Sequence, residues 1–156
     1  MPTGSLYANG LTMGMGGAPA ARGGPRGEVV GWSASSVRRH TRWLYGVDTT
    51  TLDGTGFSLT LTLRECPPTH ADWQTLRRRY LDTLTASGVV LRSHWVTEWT
   101  RRKVPHLHMA VYFRENLDRQ DVERLLVDTW LAMGSRYGTT RGAQHLERIW
   151  GPLGWL

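Results

Sequence analysis

Residues 95–113, WVTEWTRRKVPHLHMAVYF, decide the fold, because they hold two segments of strand-forming residues joined by a short basic turn. Valine and aromatic residues favour β-strands, so the pattern predicts an antiparallel hairpin over residues 90–100 and 106–113. Successive side chains of a strand point to opposite faces of a sheet, which puts His106 and His108 together on one face. The apolar row on the other face consists of Leu107, Met109, Val111 and Phe113.

The segments on either side complete an alternation of strands and helices. FSLTLTL (residues 57–63) alternates apolar and polar residues and predicts a half-buried strand. Thr69 and Asp118 are typical helix caps, and HLERIW (residues 145–150) predicts a last strand. The order strand, helix, strand, strand, helix, strand predicts an α+β fold, an antiparallel sheet with helices on one face, as in ferredoxin-like and RRM-like domains.

The N-terminal segment differs in composition from the rest of the chain. Residues 1–28 are rich in glycine, alanine and proline without a sustained period, and they predict a flexible tail. Residues 29–156 are predicted to form one domain with its own core. Near its start, SASSVRRHTRWLYGV (residues 33–47) predicts a helix that is capped by serine and ended by Gly46.

The chain is basic, and nearly all of its positive charge is arginine. Nineteen Lys and Arg residues against thirteen Asp and Glu give a net charge of +6, and Lys103 is the only lysine. Arginine favours planar anions such as phosphate, which indicates a nucleic-acid partner; a solvated basic surface is the alternative. The single cysteine, Cys66, excludes an internal disulfide, and neither a signal peptide nor a run of about 18 apolar residues is present, so the sequence predicts a soluble, cytoplasmic protein without membrane contact.

Glu98 has the parity to face the two histidines if the hairpin pairs it with position 106 or 108. Two imidazoles and one carboxylate with open coordination positions suit a catalytic divalent ion, whereas a closed structural zinc site has a fourth protein ligand. The pattern predicts a divalent-metal site of His106, His108 and Glu98. The alternative is a solvent-exposed sheet face whose histidines bind no metal.

These motifs resemble a known family. FSLTLTL, followed by a helix and then by WVTEWTRRKVPHLHMAVYF, resembles motifs 1 and 2 of the HUH-superfamily rolling-circle replication initiators of bacterial plasmids and phages. GWSASSVRRHTRWL resembles the Ser/Arg-rich helix that precedes motif 1 in one group of them, so the resemblance extends from about Val29 to the C-terminus.

The resemblance implies an HUH palm in which His106 and His108 are the metal ligands and Glu98 is the acidic third ligand. In such nickases the cofactor, Mg²⁺ or Mn²⁺, polarises the scissile phosphate of single-stranded or extruded origin DNA. A tyrosine then attacks, which forms a 5′-phosphotyrosine link and frees a 3′-OH primer. The metal ion neutralises the charge that develops on the phosphate, and the covalent link to the tyrosine retains the bond energy for later rejoining.

The sequence departs from the family pattern at the nucleophile. Family members carry it in a third motif, a helix with Tyr and a following Lys, which comes after a segment similar to QHLERIWGPLGWL; in this chain the sequence stops at Leu156. We therefore expect a truncated HUH endonuclease-like domain that lacks motif 3. Tyr137 is a weak fallback nucleophile, while Tyr112 lies on the histidine strand and Tyr45 and Tyr80 are predicted as helix core.

Two basic clusters are predicted to contact DNA phosphates. Their members are Arg101, Arg102 and Lys103 beside the predicted metal site, and Arg38 and Arg39 on the early helix. Trp95 and Trp99 are predicted to pack in the core, with stacking on an unpaired base as the alternative.

The leading hypothesis for function is a metal-dependent domain that nicks and joins single-stranded origin DNA in the cytoplasm of a prokaryotic host. A second hypothesis is a catalytically inactive relative that binds DNA or a protein partner and competes with replication or defence machinery. An RRM-like RNA-binding module is a weaker third, because the central strands lack the exposed aromatic and glycine run that stacks on bases.

Overall fold

The chain divides into two compact units, residues 1–51 and residues 52–155. The computed structural model describes residues 2–7, 10–15, 33–48 and 55–150. In the first unit, strands β1 (Pro2–Tyr7) and β2 (Gly10–Met15) form a two-stranded antiparallel sheet, and helix α1 spans Ala34–Tyr45. Ser33 caps α1 by accepting from the backbone N–H of Ser36, as predicted.

The β1–β2 pair lies within residues 1–28, for which the sequence predicted a flexible tail. Residues 1–28 show no hydrophobic period, and the composition predicted no regular elements there. An antiparallel ladder is held by backbone hydrogen bonds, which require no apolar alternation, so the pattern could not detect these strands. The predicted domain boundary at residues 28 and 29 stays a prediction, because residues 16–32 lie outside the described part of the chain.

The second unit is an α+β fold built on a four-stranded antiparallel sheet with the order β4-β5-β3-β6. Its main elements are β3 (Gly56–Thr62), α2 (His70–Ala86), β4 (Val90–Trp99), β5 (Pro105–Phe113), α3 (Arg119–Glu123), α4 (Thr129–Gly134) and β6 (His145–Ile149). A π-helical turn over Arg124–Asp128 joins α3 to α4. Both the predicted fold class and the predicted order of elements are confirmed.

The helices cover one face of this sheet. Thr69 caps α2 through a capping box with Asp72, and Asp118 caps α3, as the sequence predicted. The buried core joins the inward rows of the sheet to aromatic and aliphatic residues of the helices. On β3 and β5 these rows are Phe57, Leu59, Leu61, Leu107, Met109, Val111 and Phe113. From the helices come Trp73, Leu76, Tyr80, Leu84, Val122, Leu126 and Trp130.

The other face of the sheet lies away from the core cluster, and the polar row of β3 points to it together with His106 and His108 of β5 and Glu98 of β4. It is on this face that the predicted metal ligands lie. Within the described residues, none of the helices is both long and apolar enough to cross a bilayer.

Candidate metal site and adjoining cavity

Strand alternation puts the two histidines of β5 on the face away from the helices. His106 and His108 are half-buried, whereas Leu107 and Met109 between and after them are fully buried. The two imidazole centroids are 6.3 Å apart, with a 50° angle between the rings. The structure therefore has the predicted parity, with both rings on the open face.

Glu98 on β4 completes the group from the neighbouring strand. Its Cα lies opposite that of His106 in the register, and its Oε2 lies 2.9 Å from Nε2 of His108. The Glu98 side chain is 68% exposed, so it is free to reorient, while the His108 side chain is 29% exposed. In the described chain no three His, Cys, Asp or Glu side chains are already grouped closely enough to hold a metal ion. Closing the group around an ion thus requires a shift of the exposed carboxylate or of His106.

His108 has the property expected of a ligand before its ion binds. Its Nε2 is shielded from solvent, and although Oε2 of Glu98 is near, no hydrogen bond of good geometry reaches it. Its Nδ1 lies 3.1 Å from the hydroxyl of Thr60 on β3. A buried polar atom without a hydrogen bond is costly unless something else satisfies it, so this nitrogen fits a metal ligand.

The surroundings of His106 favour the neutral form of its imidazole. Partial burial lowers its pKa, and the nearby His108 and Arg102 lower the pKa further, against an opposing effect of Glu98. Only an unprotonated imidazole has a lone pair to give to a metal ion. The lowered pKa is thus in the direction that a metal ligand requires.

A cavity of about 390 Å³ opens beside His106. It is lined by Thr62, Leu63, Arg64, Arg102, His106, Gly138, Thr139, Thr140 and Ala143. The guanidinium groups of Arg64 and Arg102 can donate to phosphate oxygens, whereas the hydroxyls of Thr62 and Thr139 already donate to the carbonyls of Ala143 and Leu131. The cavity thus brings two arginines next to one of the candidate metal ligands.

The backbone around Arg64 is fixed by the loop that follows α4. The N–H groups of Arg64 and Glu65 both donate to the carbonyl of Tyr137, each at 3.1 Å. Gly138 then adopts a left-handed conformation with φ of 69°, and a Cβ at this position would lie 3.1 Å from Cβ of Arg64. Glycine is therefore needed where the loop passes the arginine.

The predicted DNA-binding residues are only partly brought together. Arg102 lines the cavity, and Arg101 and Lys103 are exposed in the same turn, where Lys103 has φ of 58°. Arg38 and Arg39 are exposed on α1, which belongs to the first unit.

The two tryptophans of β4 differ from each other. Trp95 packs against the core and lies under the Arg77 guanidinium, 4.2 Å from the ring centroid, which confirms core packing. Trp99 is 50% exposed, so its predicted core position is wrong. It occupies the last position of β4, opposite Pro105, where the strand reaches the end of the sheet and the core no longer covers it.

The tyrosines of the second unit are poorly exposed. Tyr137, the fallback nucleophile, is only 6% exposed and belongs to the core cluster, with Arg136 over its ring. Tyr80 is fully buried and donates to the Leu126 carbonyl, as its predicted core position requires. Tyr112 is on the histidine face, and burial raises its pKa.

Sequence reasoning missed Arg64 and Thr60. Thr60 has the parity of Thr62 on β3, so the alternation of FSLTLTL contained its signal, whereas Arg64 lies in a bend beyond the end of the strand, where parity does not apply. Thr139 and Thr140 of the cavity wall had no local signal, since they reach it through a loop distant in sequence.

Comparison with known proteins gives the family. Residues 56–150 match the model of the family described as replication-associated protein ORF2/G2P. Putative replication proteins of Xylella fastidiosa strains 9a5c and Temecula1 are 48% and 45% identical over 132 residues, which is 85% of this chain and 45% and 49% of those proteins. The replication-associated protein G2P of Pseudomonas phage Pf3 is 36% identical over 133 residues, or 85% of this chain and 47% of its own length.

The chain therefore spans about half the length of the curated relatives it matches. The family model covers most of the second structural unit, including every strand of its sheet and both candidate histidines. The chain belongs to the replication-associated protein ORF2/G2P family.

Proposed function

We propose that this chain is a metal-dependent domain that nicks and joins single-stranded DNA at the origin of a plasmid or phage, as part of an HUH-type rolling-circle replication initiator. The observation that carries the proposal is the meeting of Glu98 and His108 at 2.9 Å, with His106 opposite Glu98 in the register. Membership of a replication-associated family supports the same conclusion.

His106, His108 and Glu98 would hold the cofactor, Mg²⁺ or Mn²⁺. When bound, such an ion supplies charge neutralisation at a phosphate under attack. A set of two imidazoles and one carboxylate leaves positions open for phosphate oxygens and water. The lowered pKa of His106 supports this role, because it favours the unprotonated imidazole that binds a metal ion.

Arg64 and Arg102 would bind the DNA backbone beside this site. Both line the cavity that His106 borders, so a phosphate held by their guanidinium groups lies near the candidate ligands. Arginine binds phosphate through paired N–H groups, which fixes the orientation of the strand as well as its position. Arg101 and Lys103 extend the positive surface along the turn, and Arg38 and Arg39 are proposed as further contacts in the first unit.

We infer that none of the three tyrosines of the second unit is the nucleophile. Tyr80 and Tyr137 are buried in the core, and Tyr112 lies on the histidine strand itself, where burial raises the pKa of its phenol. The same burial of Tyr137 favours the second candidate function, a protein that binds DNA or a protein partner without cleaving DNA. We propose the cytoplasm of a prokaryotic host as the place of action.

The test uses the full chain and labelled single-stranded oligonucleotides that tile both strands of the replicon carrying its gene. Binding is followed by fluorescence anisotropy with and without Mn²⁺, and cleavage and covalent adducts are resolved on denaturing gels. We expect Mn²⁺ to tighten binding to an origin oligonucleotide in the wild type and not in His106→Ala/His108→Ala. Glu98→Gln is expected to lose most of the Mn²⁺ effect, while Glu147→Gln, on exposed β6, keeps it.

The outcomes separate the two candidate functions. DNA binding that is independent of Mn²⁺ and of both histidines contradicts the metal-dependent proposal and favours the binding protein. A covalent protein–DNA band that disappears in Tyr137→Phe contradicts the exclusion of Tyr137 as nucleophile. Cleavage that requires Mn²⁺ and both histidines but not Tyr137 supports the proposal in full.

A further inference from the structure

The hydroxyl of Thr60 contacts the histidine that meets Glu98. Thr60 on β3 lies directly opposite His108 on β5, and its Oγ1 is 3.1 Å from Nδ1 of the ring. Both residues are half-buried, so water competes only partly for this contact. It is the one hydrogen bond of the His108 ring within the described residues, because Nε2 has none.

The position of a histidine proton depends on the partners of its two nitrogens. A neutral imidazole carries one proton, and a metal ion on Nε2 requires that proton to be on Nδ1. The proton on Nδ1 then needs an acceptor, and the Oγ1 of Thr60 is within reach to accept it. Outer partners of this kind fix both the tautomer and the ring orientation, and their loss typically costs about 10–100-fold in metal affinity.

We propose that Thr60 is a positioning residue of the metal site: its hydroxyl accepts the Nδ1–H of His108 and directs Nε2 toward Glu98. The inference rests on the proposed function, since it assigns Thr60 a role toward the same metal. A hydroxyl also donates when it rotates, so the contact persists when the ring proton is on Nε2. On β3, the apolar residues thus pack in the core, while Thr60 of the polar row orients a metal ligand.

The neighbouring hydroxyls of β3 have other partners. Thr62 donates to the carbonyl of Ala143 at 3.0 Å, and Ser58 lies opposite Ala110 rather than a histidine. Among the described hydroxyl groups of β3, the hydroxyl of Thr60 is therefore the one that contacts a candidate metal ligand. Ser58 provides a matched control, because it lies on the same face two residues away.

The first measurement is the Mn²⁺ affinity of the full chain by calorimetry. Thr60→Val removes the hydroxyl but keeps the shape and the strand preference of the side chain. We expect this variant to bind Mn²⁺ about tenfold more weakly than the wild type, while Thr60→Ser and Ser58→Ala stay within about twofold. Thermal unfolding of each variant confirms that the fold is retained.

The second measurement reports on the ring itself. In Mg²⁺-saturated protein with ¹⁵N-labelled histidine, an Nδ1–H signal of His108 protected from exchange is expected in the wild type and in Thr60→Ser. Thr60→Val is expected to lose this protection. A purely structural role of Thr60 would not move this signal selectively.

The results distinguish this inference from the proposed function. If Thr60→Val binds Mn²⁺ like the wild type while His106→Ala/His108→Ala does not bind, the inference is wrong and the metal site stands. If the double histidine variant also binds like the wild type, both are wrong. An equal loss of affinity in Thr60→Val and Thr60→Ser contradicts the role of the hydroxyl.

Discussion

Replacing Arg64 and Arg102 together by glutamine is expected to weaken single-stranded DNA binding and to flatten its salt dependence. Both arginines line the cavity beside His106, so each is assigned one phosphate contact. A phosphate contact on single-stranded DNA contributes about −0.7 to the slope of log K against log salt, so the double variant should lose about 1.4 of that slope. Between about 50 and 200 mM KCl, this corresponds to a salt-induced loss of affinity about sevenfold smaller than that of the wild type.

The control for this prediction removes the same charge from the opposite side of the sheet. Arg79 and Arg136 line a separate cavity of about 340 Å³ between α2 and α4, on the helical face. Arg79→Gln/Arg136→Gln therefore lowers the net charge equally but should leave the slope near that of the wild type. Fluorescence anisotropy with a labelled oligonucleotide across the salt range measures both. Equal flattening in the two double variants, or none in the cavity variant, would refute the assignment of DNA to this face.

Further predictions concern stability and protonation. Tyr80→Phe removes a buried hydroxyl that donates to the Leu126 carbonyl at 2.9 Å, so the free energy of unfolding in urea should fall by about 1–2 kcal/mol; an unchanged midpoint would speak against it. In metal-free protein, an NMR titration should find the pKa of His106 below its ordinary value of about 6.5, since burial foremost lowers it. With this shift, the unfolded chain binds more protons than the folded chain. The contribution of His106 to stability is therefore complete above its ordinary pKa and is lost as the pH falls through its pKa in the folded protein. A titration midpoint of His106 above 6.5 would contradict burial as the dominant cause. Gly138→Ala forces alanine to a φ of 69°, which should cost about 1–2 kcal/mol and lower the melting temperature, whereas Gly142→Ala, with open space around it, should leave it unchanged.

The parts of the fold that follow from local periodicity were predictable from the sequence. FSLTLTL alternates strictly, and in the structure Leu59 and Leu61 are buried while Thr60 and Thr62 between and after them are half-buried. The hairpin itself was predictable, but the sequence left the partner of Glu98 open between positions 106 and 108, and the structure pairs it with His106. Capping residues such as Thr69 specified where helices begin, since their side chains bond to the first turn.

Features that depend on contacts distant in sequence were not predictable. The cavity wall is completed by the loop after α4, which reaches the end of β3 through the Tyr137 carbonyl and is separated from it by more than seventy residues. The helix predicted after Asp118 is interrupted by a π-helical turn, within which the Leu126 carbonyl accepts from Tyr80 on another helix. The exposure of Trp99 depends on where the core ends, which no strand pattern specifies.

The most direct test of the metal site is a calorimetric titration of the full chain with Mn²⁺. The comparison sets wild type against His106→Ala/His108→Ala, with His40→Ala/His70→Ala as the control that removes one histidine each from α1 and α2. We predict one Mn²⁺ site in the wild type and in the control, and none in the His106 and His108 variant. Equal Mn²⁺ binding in all three proteins would contradict the assignment of this sheet face as a metal site.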